Sequence, residues 1–242
     1  MVQQFANPTR FLAIADRLSP WAWAAAAGLF TVGLTLGLFR SPPDYQQGET
    51  VRIMFVHVPA AWMALAAYTF MALAHGSAIV FRHPVADLAA KAAAPAGLCF
   101  TFLALVTGSL WGKPMWGTWW QWGDARLTSM FILLLLYLGY IAVWQTIEDP
   151  SRAARIAAIV ALVGVINIPI IKFSVDWWST LHQPASILRM SGPTIHASLL
   201  IPLLVMIAAY TALFVALLLV NMKSNILARR IRQMQISAAS RV

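Results

Sequence analysis

The sequence predicts an all-α integral membrane protein with six transmembrane helices in a single domain, residues 1–242. Hydrophobic residues make up 60% of the chain and charged residues only 10%, and the mean hydropathy is +0.73. Six runs contain no Asp, Glu, Lys or Arg, and most reach the roughly 20 residues that a helix needs to cross a hydrocarbon core about 30 Å thick. Lipid offers the backbone no hydrogen-bond partners, so each run is expected to be helical.

The predicted spans lie at about 19–39, 53–74, 92–111, 127–147, 156–175 and 194–221. The first span follows a polar, mixed-charge stretch and is long enough to cross, so we expect it to be retained and not cleaved as a signal peptide. The fifth run is short, and we expect one helix that continues past Lys172, with the lysine stem reaching the interface. The sixth run is overlong, and a Ser191-Gly192 break predicts a helix that starts near Pro193.

The distribution of basic residues predicts that both termini lie in the cytoplasm. With six spans both termini share one side, which collects eleven Lys and Arg against six on the opposite side. Cytoplasmic loops carry the excess of positive charge in membrane proteins. The net charge of +9 is therefore attributed to orientation and to contact with anionic lipid, and nucleic-acid binding is not expected.

The loop between the third and fourth spans contains five tryptophans within residues 111–129, WGKPMWGTWWQWGDARLTS. Indoles offer flat apolar faces, so the cluster predicts a platform for a large planar ligand at the lipid–water boundary. The alternative is an ordinary aromatic belt; the predicted topology places eight of the eleven tryptophans on the side of the loop, which disfavours an even belt. Trp116, Trp119 and Trp120 have i, i+3, i+4 spacing, which predicts a partial interfacial helix.

Two histidines are expected on the same side as this loop. His57 begins the sequence HVPAAW at the outer end of the second span, and His182 lies in DWWSTLHQPAS between the fifth and sixth. Neutral imidazole is a common axial ligand of haem iron. A single histidine near a helix end is more often only hydrogen-bonded, but a pair beside an indole platform favours haem ligation. His75 and His83 are expected in loops on the cytoplasmic side, and His196 is expected to make a structural hydrogen bond.

Four segments carry a resemblance to a known family: HVPAAW, WGKPMWGTWW, DARLTS and NIPIIKFSVDWWSTLHQP. In this order they resemble the cytochrome c maturation protein C family, also called haem exporter protein C, over nearly the whole chain. The resemblance implies a bacterial inner-membrane protein whose periplasmic WWD segment, residues 111–129, and two histidines hold haem b transiently and without a covalent bond. It also implies delivery of that haem to a membrane-anchored chaperone, maturation protein E.

The resemblance further implies partners and site residues. The expected partners are the small membrane subunit, maturation protein D, and the ABC-type subunits, maturation proteins A and B; this chain has no G-x-x-x-x-G-K-[ST] loop, so ATP hydrolysis is left to them. The implied haem site consists of His57 and His182 as axial ligands, with Trp116, Trp119, Trp120, Trp122 and Asp124. One departure is Gly123, which stands between Trp122 and Asp124, where the family has Asp directly after the last Trp.

Cations are needed near the two haem propionates. Arg52, Lys113, Arg126 and Arg189 are the outer cations available, and Arg126 is included in the predicted haem site because a guanidinium can pair with a carboxylate through two hydrogen bonds. The alternative is that these side chains are ordinary interfacial charges. Two roles are open for Asp124: orienting Arg126, or accepting a hydrogen bond from an indole N–H.

No catalytic residue is predicted. The sole cysteine, Cys99, lies in the third span, which excludes an intramolecular disulfide and a covalent C-x-x-C-H haem site; its expected role is packing. The favoured function is a haem-presenting, non-enzymatic subunit. The alternatives are a haem permease and a WWD-type haem lyase that attaches haem to apocytochrome c, which in related families has more spans and a large outer domain.

Overall fold

The computed structural model describes residues 7–83, 85–184, 186–187 and 189–239, and within these ranges the regular structure is helical. The helices are α1 (Pro8–Leu34), α2 (Met54–Phe81), α3 (Ala86–Trp116), α4 (Ala125–Thr146), α5 (Pro150–Gly164), α6 (Asn167–Trp177) and α7 (Ala197–Ala239). A π-helical turn, Thr35–Arg40, extends α1, and a 3-10 turn, Glu49–Ile53, precedes α2.

Six segments in the described part of the chain are long and apolar enough to cross a membrane, with α5 and α6 together forming one of them. This confirms the six predicted spans. Most helices run past the predicted bounds: α2 continues to Phe81, and α3 covers Ala86–Trp116. The start predicted for the sixth helix near Pro193 is wrong, because His196 accepts a hydrogen bond from the Ser198 backbone N–H (3.3 Å) and α7 begins only at Ala197.

The fifth span does continue past Lys172, since α6 ends at Trp177, but it is broken into two halves, so the expectation of one unbroken helix is wrong. Pro169 has no N–H to donate to the Val165 carbonyl, and the Ile168 N–H bonds this carbonyl instead (3.0 Å). The Tyr68 hydroxyl also donates to the Val160 carbonyl (3.0 Å) and fits only because Gly164 has no side chain. As a result α6, which leads to His182, is set off from α5 by a two-residue break.

The core lies where α2, α3 and α4 meet. Tyr137 donates to the Ala64 carbonyl (2.8 Å) and occupies the space beside Gly97, where a Cβ would lie 2.2 Å from its hydroxyl. Its ring packs edge-on against Tyr68, with centroids 5.0 Å apart. Cys99, expected to pack in the interior, is instead exposed on the surface of α3, so that prediction is wrong.

The helical bundle has two distinct ends. The tryptophan end carries the loop between α3 and α4, residues 117–124, and the terminal end is where α1 begins at Pro8 and α7 ends at Ala239. Near the terminal end, His75 lies fully buried inside α2, with its Nδ1 3.0 Å from the Asp87 carboxylate and its Nε2 2.8 Å from the Tyr140 hydroxyl. The loop position predicted for His75 is therefore wrong, whereas His83 does lie outside the helices.

Candidate functional site

The tryptophan loop is not the interfacial helix that the spacing predicts. Helix α3 ends at Trp116, and Gly117 takes a left-handed conformation (φ 76°), with its N–H bonded to the Lys113 carbonyl. A glycine in this conformation is a common helix terminator. Residues 117–124 form turns, so Trp119 and Trp120 do not continue a helical stripe from Trp116.

His57 is held by the face of α3 that packs against α2. Its Nδ1 lies 3.0 Å from the Ala104 carbonyl oxygen and 3.1 Å from the Thr107 hydroxyl. The carbonyl can only accept, so Nδ1 carries the proton and Nε2 keeps its lone pair. No group in the described ranges hydrogen-bonds Nε2. Gly108 leaves room for the ring, because a Cβ there would lie 2.9 Å from Cε1.

His182 lies in the segment that follows α6, and it contacts the last residue of α3. Its ring packs edge-on against Trp116, with centroids 4.8 Å apart at 62°. His57 makes a similar contact with Trp111, at 5.7 Å and 75°. Each histidine is therefore set against an indole from the last two turns of α3.

Asp124 joins the tryptophan loop to the His182 segment. One carboxylate oxygen accepts the Leu127 N–H (2.9 Å) and so caps α4, and the other accepts the Leu181 N–H (2.7 Å). The first oxygen also lies 3.7 Å from Nδ1 of His182, an ion-pair distance longer than a hydrogen bond. Neither hydrogen bond considered from the sequence, to Arg126 or to an indole, is among those that the described residues make.

The environment of Asp124 favours its charged form. Burial raises the pKa of the carboxyl, but the neighbouring His182 imidazole and the N–H groups of Leu127 and Leu181 outweigh it and lower the pKa from 3.8 to about 2. Gly123 does not displace Asp124 from the site, since it lies within a turn closed by the hydrogen bond from the Asp124 N–H to the Gln121 carbonyl (3.1 Å).

Arg126, in the first turn of α4, is hydrogen-bonded to two residues of α6. Its Nε donates to the Ser174 hydroxyl (3.2 Å), and one terminal nitrogen donates to the Lys172 carbonyl (3.3 Å). His57 lies within electrostatic range of His182 and Arg126, whose positive charges would oppose one on its own ring. Two histidines separated by 182 − 57 = 125 residues therefore lie at the same end of the bundle as Arg126.

Trp120 and Trp122 belong to a different part of the surface. Their rings are nearly perpendicular, 5.3 Å apart, and both pack edge-on against Phe131 of α4. They line an apolar groove of about 480 Å³ with residues of α3 that include Phe102, Leu105, Val106 and Ser109. At about 100° per residue, these α3 positions face away from the His57-contacting face.

The remaining predicted residues are more exposed or already paired. Trp119 is 55% exposed, with the Lys113 ammonium 5.9 Å from its ring centroid. Arg52 forms an ion pair with Glu49 (2.8 Å) and donates hydrogen bonds to backbone carbonyls at the end of the turn that extends α1. Its role is therefore structural. Arg189 is exposed. His196 bonds the Ser198 hydroxyl (2.9 Å), which confirms its expected structural role.

Sequence reasoning missed the residues that support the histidines. Thr107 and Gly108 contact His57 across a separation of about 50 residues, and no local pattern marks them. Ser174, which is fully buried, accepts from Arg126 in the same way. Trp111 could have been identified as a site residue, because it belongs to the tryptophan cluster. Its indole N–H donates to the Gln47 side chain (3.1 Å).

Comparison with known proteins gives a consistent result over almost the whole chain. Residues 1–237 match the family model described as heme exporter protein C. The heme exporter protein C of Bradyrhizobium diazoefficiens is 59% identical over 237 residues, covering 98% of this chain and 89% of that protein. Those of Escherichia coli and Paracoccus denitrificans are 45% and 43% identical, covering 93% and 95% of this chain and 91% and 95% of the relatives.

Proposed function

This chain belongs to the heme exporter protein C family, a membrane-protein family of haem transport and cytochrome c biogenesis, and we propose that it holds haem at its tryptophan end and delivers it to a membrane-anchored chaperone. We further propose that this end faces the periplasm of a bacterial inner membrane and that both termini are cytoplasmic. One observation carries the proposal: His57 and His182 each pack edge-on against an indole in the last two turns of α3.

His57 and His182 are proposed as the two axial ligands of the haem iron. The fit of His57 rests on its Nδ1, which is fixed by the Ala104 carbonyl and leaves the Nε2 lone pair free. A histidine that ligates a metal commonly donates its other ring N–H to a carbonyl or carboxylate. Among the described residues, the buried Nδ1 of His182 has no hydrogen-bond partner, and it lies 3.7 Å from the Asp124 carboxylate. A slightly shorter distance would let Asp124 accept a hydrogen bond from this Nδ1.

The tryptophans are proposed to supply ring faces for the porphyrin. Trp116 contacts His182, and Trp119 presents an exposed ring nearby in the chain. Trp120 and Trp122 lie against Phe131 on the other face of α3, so we propose that they contact the chaperone and not the porphyrin between the two histidines. The guanidinium nitrogen of Arg126 that bonds neither Ser174 nor Lys172 is the proposed partner of a propionate.

The proposed role is transfer and not catalysis. Haem b would be bound through iron ligation, stacking and the propionate pair, with no covalent bond to the protein, so its release would need no covalent bond to be cleaved. Any ATP hydrolysis coupled to release belongs to separate ABC subunits, maturation proteins A and B, and the small subunit, maturation protein D, completes the proposed complex.

Absorption spectroscopy of the purified protein tests the ligands. His57→Ala and His182→Ala are each expected to shift the Soret band and to weaken haem retention, because each removes one ligand. His196→Ala is the matched control, since this histidine is exposed and the side-chain hydrogen bonds it makes within the described residues go to Ser198. Haem binding by the double variant with an unchanged spectrum would contradict the assignment.

Site-specific photocrosslinking tests delivery. A crosslinker at Gln121, in the exposed tryptophan loop, is expected to capture the chaperone only when haem is bound, because the chaperone must approach the haem edge there. Gln233, at the terminal end, is the control. Capture of the chaperone from Gln233 alone would place the transfer surface elsewhere.

A further inference from the structure

The loop that joins α1 to α2, residues 41–48, is held in one shape by its own hydrogen bonds. The backbones of Asp44 and Gly48 exchange two hydrogen bonds (3.2 and 2.8 Å), and the Asp44 carboxylate accepts the N–H groups of Gln46 and Gln47 (2.9 Å each). Gly48 has a φ of 55°, in a region that glycine adopts without a steric penalty. The loop is therefore a closed turn that fixes the backbone of Gln47.

Gln47 links this turn to helix α3. Its carbonyl accepts from the backbone N–H (3.2 Å) and from the hydroxyl (2.7 Å) of Thr50, so both backbone polar groups of Gln47 are bonded. Its side-chain oxygen accepts the indole N–H of Trp111 (3.1 Å). An indole nitrogen can only donate, so the amide oxygen of Gln47, and not the amide nitrogen, faces Trp111.

Trp111 belongs to the face of α3 that holds His57. Four residues of this face lie against the imidazole, at i, i+3, i+4 and i+7 spacing: Ala104, Thr107, Gly108 and Trp111. That spacing aligns them along one side of the helix. Trp111 is the outermost of the four and the nearest to the tryptophan loop. Its ring therefore borders His57 on the side of the tryptophan end, where haem is proposed to bind.

The hydrogen bond to Gln47 sets how the Trp111 ring is turned. The torsion between an aromatic ring and its Cβ is broad, and turning the ring changes the direction of its single N–H. Keeping that N–H on Gln47 selects the orientation in which the Trp111 and His57 rings cross at 75°, with centroids 5.7 Å apart. Without the acceptor, the indole could turn and change how much of the imidazole is open.

We propose that Gln47 is a positioning residue for haem ligation: acting through the Trp111 indole, it keeps Nε2 of His57 accessible to the iron. The inference rests on the proposed function, in which His57 ligates haem. It adds the α1–α2 loop to a site otherwise built from α2, α3, α4 and the His182 segment. Gln47 itself touches neither the iron nor the porphyrin.

The rate of haem loss from the purified protein tests this role. Gln47→Leu keeps a similar volume but removes the acceptor. It should speed haem loss by roughly two- to tenfold, the contribution of one hydrogen bond between neutral groups, and should shift the Soret band towards that of His57→Ala. Gln47→Glu keeps an oxygen at the same reach and should restore the slow rate. Gln46→Leu is the matched control, since Gln46 is exposed and joins the turn through its backbone N–H. Haem loss from Gln47→Leu at the unaltered rate would overturn the proposal.

Two double variants separate this inference from the proposed function. In a Trp111→Phe or a His57→Ala background, Gln47→Leu should cause no further acceleration, because the indole donor or the imidazole through which it acts is gone. Further acceleration in either background would overturn the proposal. If His57→Ala alters the haem spectrum and Gln47→Leu does not, the Gln47 proposal fails and the ligand assignment stands. If His57→Ala retains haem with an unchanged spectrum, the ligand assignment fails and the Gln47 proposal fails with it.

Discussion

The segments that carry His57 and His182 reach the same end of the bundle, yet different interactions hold them there. His57 lies in the first turn of α2, and its ring is fixed by Ala104, Thr107 and Gly108 of the neighbouring helix. His182 lies in a non-helical segment and is held by Trp116 and, through Leu181, by Asp124. We call the part of the site around His57 the His57 half and the part around His182 the His182 half. The His57 half thus depends on helix packing, and the His182 half depends on a few side-chain hydrogen bonds.

The bonds that hold the His182 half come from one stretch of α4 and its cap. Asp124 binds the Leu181 N–H, and Arg126 binds Ser174. The Ser129 carbonyl accepts from the side chain of the buried Asn167 (2.9 Å). Since this stretch directly follows the tryptophan loop, a disturbance of the loop should reach His182 before it reaches His57.

The largest effect is expected from Asp124→Ala. This change removes the α4 cap, worth about 1 kcal/mol, and leaves the Leu181 N–H without its acceptor, a loss of about 1–3 kcal/mol. Haem retention and thermal stability of the purified protein should both fall strongly. Asp124→Asn keeps an oxygen acceptor for the cap and should retain more of both. Equal losses in the two variants would show that charge, and not the double acceptor, is what matters.

A somewhat smaller effect is expected from Gly108→Ala, which tests the His57 half. The new Cβ would lie 2.9 Å from the imidazole, and overpacking of this kind costs about 1–3 kcal/mol. The haem spectrum should change while the fold persists. Gly139→Ala is the matched control, because a Cβ there meets nothing within 4 Å. If both variants bind haem like the unaltered protein, His57 is not held as described.

Acid should weaken the His182 half selectively. The folded pKa of Asp124, about 2, is below the ordinary 3.8, so its contribution is fully present above about pH 4 and is lost as the pH falls towards 2. The difference corresponds to about 2 kcal/mol. Thermal unfolding measured between pH 5 and pH 2.5 should show this loss in the unaltered protein and a smaller loss in Asp124→Asn. Parallel acid profiles for the two proteins would rule out Asp124 as the group responsible.

The smallest effect is expected from Ser174→Ala. It removes one hydrogen bond to Arg126 while the bond to the Lys172 carbonyl remains, so the loss should lie near the low end of the roughly 1.5–3 kcal/mol that a hydrogen bond to a charged group contributes. Haem affinity should fall only modestly, as measured by titration. Ser198→Ala, outside this network, should leave it unchanged. A loss as large as that of Asp124→Ala would mean that Arg126, and not Asp124, dominates the His182 half.

The sequence predicted the spans and the placement of both histidines at one end of the bundle, because both follow from hydropathy and from counting membrane crossings. The break at residues 165 and 166 was missed although Pro169 is a visible signal for it; the contact between Val160 and Tyr68, far apart in the chain, could not be predicted. The spacing of the loop tryptophans failed as a helix signal because Gly117 ends α3. Cys99 was misplaced because lipid-facing and core-facing positions of a span are equally apolar.

The support for Asp124 and His57 lay beyond sequence reasoning for a related reason. The type of residue at position 124 suggested a polar role, but its acceptance of the Leu181 N–H depends on how the loop after α6 folds back. Likewise, the room for His57 beside Gly108 depends on the register between α2 and α3. Local patterns identify such residues as candidates and leave their partners undetermined.

Ligand rescue tests most directly whether the two differently held histidines bind one iron. The spin state of the ferric haem complex would be measured for the unaltered protein, for His57→Ala and for His182→Ala, each with and without added imidazole. We predict a low-spin, six-coordinate complex for the unaltered protein, a change of spin state in each variant, and restoration of the low-spin signal by imidazole. An unchanged low-spin complex in either variant without imidazole would contradict shared ligation of the iron.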